Sequence, residues 1–132
     1  MDCKNIYLLI VGSRTIDDYP YIKAYLNNII RSRYHGCDIT VVSGGARGVD
    51  SLAERWADEN RYQKMIINAD WDKYGKRAGY IRNEEMHRFI SEKDERLVIA
   101  FWDGESRGTA QNFALAKKYK NELIIVNMDN EI

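Results

Sequence analysis

The stretch ITVVSGGARGVDSLAERWA, residues 39–57, reads in one pass as strand, tight turn and helix. Residues 39–42 form a continuous apolar run, the pattern of a strand covered on both faces rather than one. Ser43, Gly44, Gly45 and Gly48 then interrupt it with the residue types that punctuate a turn. Val49, Leu52, Ala53, Trp56 and Ala57 follow at three-and-four spacing and mark one buried helical stripe. Strand, glycine turn and helix in that order make half of a βαβ unit.

The same alternation extends in both directions. Further continuous apolar runs stand at 6–11 (IYLLIV), 64–67 (KMII), 97–102 (LVIAFW) and 123–126 (LIIV). Between them, Ile22, Tyr25, Leu26, Ile29 and Ile30 form a helical stripe. Met86, Phe89 and Ile90 form a second after Gly79, and Ala110, Phe113 and Ala114 a third after Gly108. Lys117, Lys118 and Lys120 suit the carboxyl end of that last helix. The order βαβαβαβαβ predicts an α/β fold: a single Rossmann-like three-layer sandwich on a mostly parallel five-stranded sheet. The chain of 132 residues fits one domain, 1–132, with no linker, repeat or low-complexity segment.

Composition narrows the function classes. Twenty Lys+Arg balance twenty Asp+Glu, so the total charge offers nucleic acid or anionic membrane no long-range attraction, and any basic site must be local. The apolar runs are far shorter than the roughly 20 residues needed to span a bilayer, and no signal-peptide layout opens the chain. A cytoplasmic protein without membrane contact is expected. Cys3 and Cys37 lack metal spacing and are read as buried thiols. His35 and His87 stand apart from any second ligand, so no metal site is expected, and His87 reads as a surface or pairing residue.

In an open parallel sheet, ligands sit beyond the carboxyl ends of the strands. Three strand exits here combine glycine, a hydroxyl and arginine: Gly12-Ser13-Arg14, the Ser43–Asp50 turn with Arg47, and Asp103-Gly104-Glu105-Ser106-Arg107-Gly108-Thr109. Glycines let the backbone approach a ligand, free N–H groups at a helix start favour an anion, and arginine adds bidentate bonds. Phosphate is the natural guest. Ser43 replaces the first glycine of a dinucleotide fingerprint and no GK[ST] follows, so neither a standard NAD site nor a P-loop is present. Residues 68–79 (NADWDKYGKRAG) read as a long loop bordering the site. Trp102, closing its strand, reads as packing.

Together, Gly12-Ser13-Arg14, Ser43-Gly44-Gly45-Ala46-Arg47-Gly48-Val49-Asp50, Trp71-x-x-Tyr74-Gly75-Lys76-x-Ala78-Gly79-x-x-Arg82-Asn83-x-x-Met86 and Ser106-Arg107-Gly108-Thr109-Ala110 resemble the YspA-like (cpYpsA-related) branch of the SLOG superfamily. The resemblance covers nearly the whole chain. It implies a Rossmann-like sheet and a nucleotide or nucleotide-derived phosphate ligand. More distantly, Arg82-Asn83-x-x-Met86 is similar to the RKxxM motif of LOG-type phosphoribohydrolases, with Asn83 for lysine. Their PGGxGTxxE motif is matched at Gly108-Thr109, but Asn112 stands where the catalytic glutamate belongs, and an amide cannot act as a general base. The Ser43–Asp50 stretch is also similar to the SGxARGxD segment of DprA/Smf proteins, which bind single-stranded DNA.

The expectation is a binding module, sensor or sequestering, with turnover of a nucleoside monophosphate's N-glycosidic bond as the alternative and single-stranded DNA third. Nucleic acid is ranked low because single-strand binders need a basic groove. Backbone N–H groups of Gly44, Gly45, Ala46, Gly108 and Thr109 are expected to cradle phosphate, with Arg14 and Arg82 neutralising it. The Trp71–Gly79 loop, with Tyr74 and Lys76, is expected over base or ribose, and Arg47 and Arg107 are further candidates for the anion. Gly12, Ser13, Ser43, Asp50, Asn83 and Asp103 are expected among the ligand-binding residues. If there is turnover, Arg82 with Asp50 or Glu105 would carry it. No resident cofactor is required, although Mg²⁺ could arrive with phosphates. A homo-oligomer is expected, with Tyr19, Tyr21, Tyr25 and Tyr34 as an exposed-looking surface.

Overall fold

A computed structural model describes residues 4–128. Five strands, β1 (Asn5–Gly12), β2 (Asp38–Ser43), β3 (Gln63–Ile66), β4 (Arg96–Trp102) and β5 (Leu123–Asn127), form one sheet in the order β3-β2-β1-β4-β5. All four neighbouring pairs are parallel, so the mostly parallel sheet read from the sequence is wholly parallel. The helices are α1 (Tyr19–Arg33), α2 (Val49–Glu59), α3 (Trp71–Tyr74), α4 (Ala78–Ser91) and α5 (Arg107–Lys118).

Successive residues of β1 face opposite layers, as strand geometry requires. Ile6, Leu8 and Ile10 pack with Ile22, Leu26 and Ile29 of α1 and with Ala53, Trp56 and Ala57 of α2. Leu9 and Val11 pack on the other face with Met86 and Ile90 of α4. Burial on both faces explains the unbroken apolar run. Trp56 is fully buried and donates its indole N–H to Asn27 Oδ1 at 2.9 Å, so its polar tip is satisfied inside the core.

Local signals set the helix starts. Asp18 caps α1 through the Tyr21 N–H, and Ser106 caps α5 through the Thr109 N–H. The expected loop 68–79 is largely helical: Asp70 caps the single turn of α3, a 3-10 turn spans Gly75–Arg77, and α4 begins at Ala78. The expected α5 stripe is displaced too. Ala114 is exposed, whereas Thr109, Asn112, Leu115 and Ala116 face inward. Two of those inward residues are polar and are held there by hydrogen bonds, which a reading of apolar spacing passes over.

Tyr19 and Tyr34 belong to the core, Tyr25 packs edge-on against Phe101 at 5.6 Å, and only Tyr21 of the four is exposed. Trp102 packs edge-on against Phe113 at 5.2 Å. Cys37 is disulfide-bonded, against the expectation of a thiol; Cys3 lies outside the described residues. Among the described residues no helix is long and apolar enough to cross a membrane, and no group of three or more His, Cys, Asp or Glu could hold a metal ion.

Candidate functional site

The chain leaves β1 toward one edge of the sheet and leaves β4 toward the other, so the loops above these neighbouring strands part. Two chambers with a common wall occupy the opening. The first, about 410 Å³, is lined by the β1 exit at Gly12, by Lys76 and Asn83, and by the start of α5 at Gly108 and Thr109. The second, about 520 Å³, lies over the β2–α2 turn at Gly44, Gly45 and Arg47, with Asn68 and Ala69 opposite. Arg14, Ala46, Trp71 and Arg82 line both.

Arg82 is the main feature of that wall. Its side chain comes from the first half of α4 and is only 7% exposed. Nη1 donates to the Gly44 carbonyl at 2.5 Å and Nε to Asn83 Oδ1 at 3.0 Å. Nη2 has no acceptor, and the guanidinium makes no ion pair, among the described residues. Burial pulls its pKa down, Asp50 works against that, and the neighbouring Arg14 adds to it. A buried cation normally has a counter-charge in contact.

Asp50, in the first turn of α2, is 6% exposed and lines the first chamber. Its Oδ2 accepts the Ala46 N–H at 3.1 Å. Burial pushes its pKa up to about 6, against the lowering effects of the Ala46 bond and of Arg82 and Arg14; Glu54 adds to the rise. The carboxyl therefore changes charge just below neutrality.

The two helix starts differ in what they leave open. At the β2–α2 turn, the Gly45 N–H is taken by Ser43 Oγ at 3.2 Å and the Ala46 N–H by Asp50. Ser43 Oγ in turn donates to Glu54 Oε2 at 2.7 Å. At α5, the Thr109 N–H and hydroxyl both go to Ser106 Oγ, at 3.3 and 3.2 Å. The N–H groups of Arg107 and Gly108 have no acceptor among the described residues. The dipole of a twelve-residue helix adds partial positive charge at that point.

Behind the first chamber runs a buried chain of amides. Asn83 Nδ2 and Asn112 Nδ2 both donate to the Gly108 carbonyl, at 3.4 and 3.1 Å. Asn112 Oδ1 lies 2.9 Å from His87 Nε2, and Asn121 Nδ2 lies 3.3 Å from His87 Nδ1. Since Asn112 Oδ1 can only accept and Asn121 Nδ2 can only donate, His87 carries its proton on Nε2 and accepts at Nδ1. Fully buried, it is held neutral by desolvation, partly offset by the Asn112 bond. It is a pairing residue and not a surface one.

The remaining sequence candidates fall outside the chamber walls. Ser13 is buried and accepts the Asp103 N–H at 3.2 Å. Asp103 accepts the N–H groups of Glu105 and Ser106, each at 2.8 Å, and these bonds hold its pKa down. Glu105 and Arg107 are exposed on that turn, and Tyr74 is half-buried with Lys73 over its ring. Conversely, the first chamber includes Thr15, Tyr80, Met86 and Asn112, and the second Asn68 and Ala69. Asp70 before Trp71, a cap signal, could have placed α3 and so brought Tyr80 to the cleft; Thr15 and Asn68 carried no signal.

Comparison with known proteins then settles the lineage. The family model of YspA, cpYpsA-related SLOG proteins (YAcAr) matches residues 7–74, from β1 through α3. The chain belongs to this SLOG family. The gene 61 protein of Mycobacterium phage D29 is 37% identical over 117 residues, 84% of this chain and 88% of that one. By structure, this SLOG protein is similar to the C-terminal domain of a hydrogenase from Pyrococcus furiosus, with TM-score 0.51 at 16% identity over 95% of both chains. A second structure of that domain gives TM-score 0.51 at 17% identity, over 91% of this chain and 89% of the other. At such identity the likeness is one of fold.

Proposed function

We propose that this SLOG-family protein binds a nucleotide or nucleotide-derived phosphate ligand at the carboxyl edge of its sheet, as a sensor or sequestering module. The observation that carries the reading is Arg82: a guanidinium 7% exposed, without an ion pair among the described residues, whose Nη2 is left to the cleft. An anion there would supply the missing counter-charge. The open N–H group of Gly108, at the start of α5, lines the first chamber and is ready for a phosphate oxygen. Trp71 and Tyr80, 50% and 46% exposed, flank the same chamber and offer faces to a base. Gly45 and Ala46 make the smaller contribution, because their N–H groups already have acceptors. No resident metal is needed in this account; Mg²⁺ would arrive on the ligand's phosphates.

A thermal-shift panel of nucleoside mono-, di- and triphosphates tests it. A ligand at 100 times its dissociation constant adds about 2.7 kcal/mol of stability; an unmoved melting curve across the panel rejects the reading.

One observation favours turnover as a second reading. Asp50, the carboxyl in the cleft walls, has a pKa of about 6, a range suited to general acid–base work on an N-glycosidic bond. Asn112 supplies no carboxylate, and both of its amide atoms are engaged. Incubation with AMP and chromatography for free adenine decides between the readings, and turnover through Asp50 predicts that Asp50→Asn abolishes release.

A further inference from the structure

We propose that Asn83 is a positioning residue: it does not touch the anion but fixes the plane of the Arg82 guanidinium and ties that plane to the start of α5. The inference rests on the nucleotide reading above for the ligand used in its test.

Hydrogen-bond capacity argues against a direct contact. A carboxamide meets an anion only through the two hydrogens of its nitrogen, and here both are spent. Asn83 Nδ2 donates to Gln111 Oε1 at 2.9 Å and to the Gly108 carbonyl at 3.4 Å. The side chain is buried, so turning either hydrogen to a ligand would strand an acceptor. Oδ1 in turn accepts the Arg82 Nε–H at 3.0 Å. The amide cannot be turned over, because its nitrogen would then face the Nε–H and its oxygen the Gly108 carbonyl.

The effect is on the arginine. Its planar fork is held at two corners, Nε by Asn83 and Nη1 by the Gly44 carbonyl, which leaves the third nitrogen, Nη2, one direction. One of those bonds comes from the β2–α2 turn. The other comes from an amide gripped by Gly108 and Gln111 of α5, so Arg82 is set against the helix start whose Gly108 N–H is open. Gln111 Nε2 donates to the Tyr80 carbonyl at 3.1 Å and ties α5 back to the first turn of α4. Arginine has much rotamer freedom to lose, and ordering it before the ligand arrives removes that cost from binding.

A double-mutant cycle in AMP affinity, measured by calorimetry on wild type, Asn83→Leu, Arg82→Met and the double variant, tests the proposal. Leucine keeps the volume and removes every bond. Asn83→Leu is expected to weaken AMP binding at least about fivefold when Arg82 is present, and by less than about twofold when it is methionine. A residue that only braces α4 on α5 costs the same factor in both backgrounds. Equal factors therefore overturn the inference, as does wild-type affinity in a folded Asn83→Leu protein. If Asn83→Leu fails to fold by circular dichroism, magnetic resonance of the wild-type protein decides. The Arg82 Nε–H signal, assigned by its loss in Arg82→Met, is expected to exchange with water at least about tenfold more slowly than those of the exposed Arg47 and Arg107. Exchange as fast as theirs overturns the inference. Absence of AMP binding by wild type overturns the functional reading and leaves this inference to be decided by the exchange rate.

Discussion

The Arg82 guanidinium lies across the backbone of Gly44, and a β-carbon at Gly44 would stand 2.7 Å from Arg82 Nη1. The absent side chain is thus part of how the arginine is held. Gly44→Ala is expected to push the guanidinium off its carbonyl, costing about 1–3 kcal/mol of stability as an overpacked site. It should also weaken AMP binding at least about tenfold. Denaturant unfolding together with calorimetry measures both.

Gly108 answers a different constraint. Nothing lies within 4 Å of where its β-carbon would stand, and its φ is not among the positive values, so neither packing nor backbone shape demands glycine. Gly108→Ala is expected to leave stability unchanged or raise it by up to about 1 kcal/mol through helix propensity, while the new methyl crowds the chamber and lowers nucleotide affinity. A glycine kept only for packing would show the opposite pattern, with stability lost and affinity intact.

Asp50 makes stability depend on pH. Its pKa rises from 3.8 to about 6 on folding, so folding disfavours the charged form. The stabilising contribution is full below about pH 4 and is lost as pH climbs through about 6, a change of up to about 3 kcal/mol. Asp50→Asn keeps an oxygen for the Ala46 N–H and is expected to flatten stability between about pH 4 and 6 and to be the more stable protein at neutral pH. In a binding module it also tightens phosphate binding, since a negative charge beside Arg82 is gone.

His87 has the opposite sign. Its pKa is lowered by burial, so the unfolded chain binds the proton more readily. Its contribution is full above the ordinary imidazole value, about pH 6.5, and declines as pH falls below it. His87→Gln should reduce that acid sensitivity in a urea titration series, at some cost to packing at neutral pH.

Periodicity carried most of the fold. Residues 6–11, 39–42 and 97–102 are buried on both faces and lie within β1, β2 and β4, and a run of that kind leaves the chain few alternatives. The edge strand β3 was placed one residue late, because its Gln63–Ile66 segment is exposed throughout and has no burial pattern to fix its bounds. A single helical turn such as α3 is too short to show a period. Within the cleft, Arg14, Asp50, Arg82 and Gly108 stood out as charged or glycine residues at strand exits and helix starts. Tyr80 reaches the first chamber from α4, which only the Asp70 cap before α3 signalled, and Thr15 and Asn68, in the connections after β1 and β3, carried no local signal. Ser13, Ser43 and Asp103, polar residues at the same exits, are held instead by bonds to Asp103 N–H, Glu54 and the Glu105–Ser106 turn. Sequence does not separate a hydroxyl that braces a turn from one that meets a ligand.

The most direct test of the account is calorimetry of AMP and ADP-ribose against wild-type protein and Arg82→Met, with unfolding free energy measured on both without ligand. Methionine matches the arginine stem and removes a buried charge that lacks an ion pair among the described residues. The account predicts that Arg82→Met is as stable as wild type or more so, yet loses at least about tenfold in affinity for both nucleotides. A folded Arg82→Met protein that binds both as wild type does would contradict it.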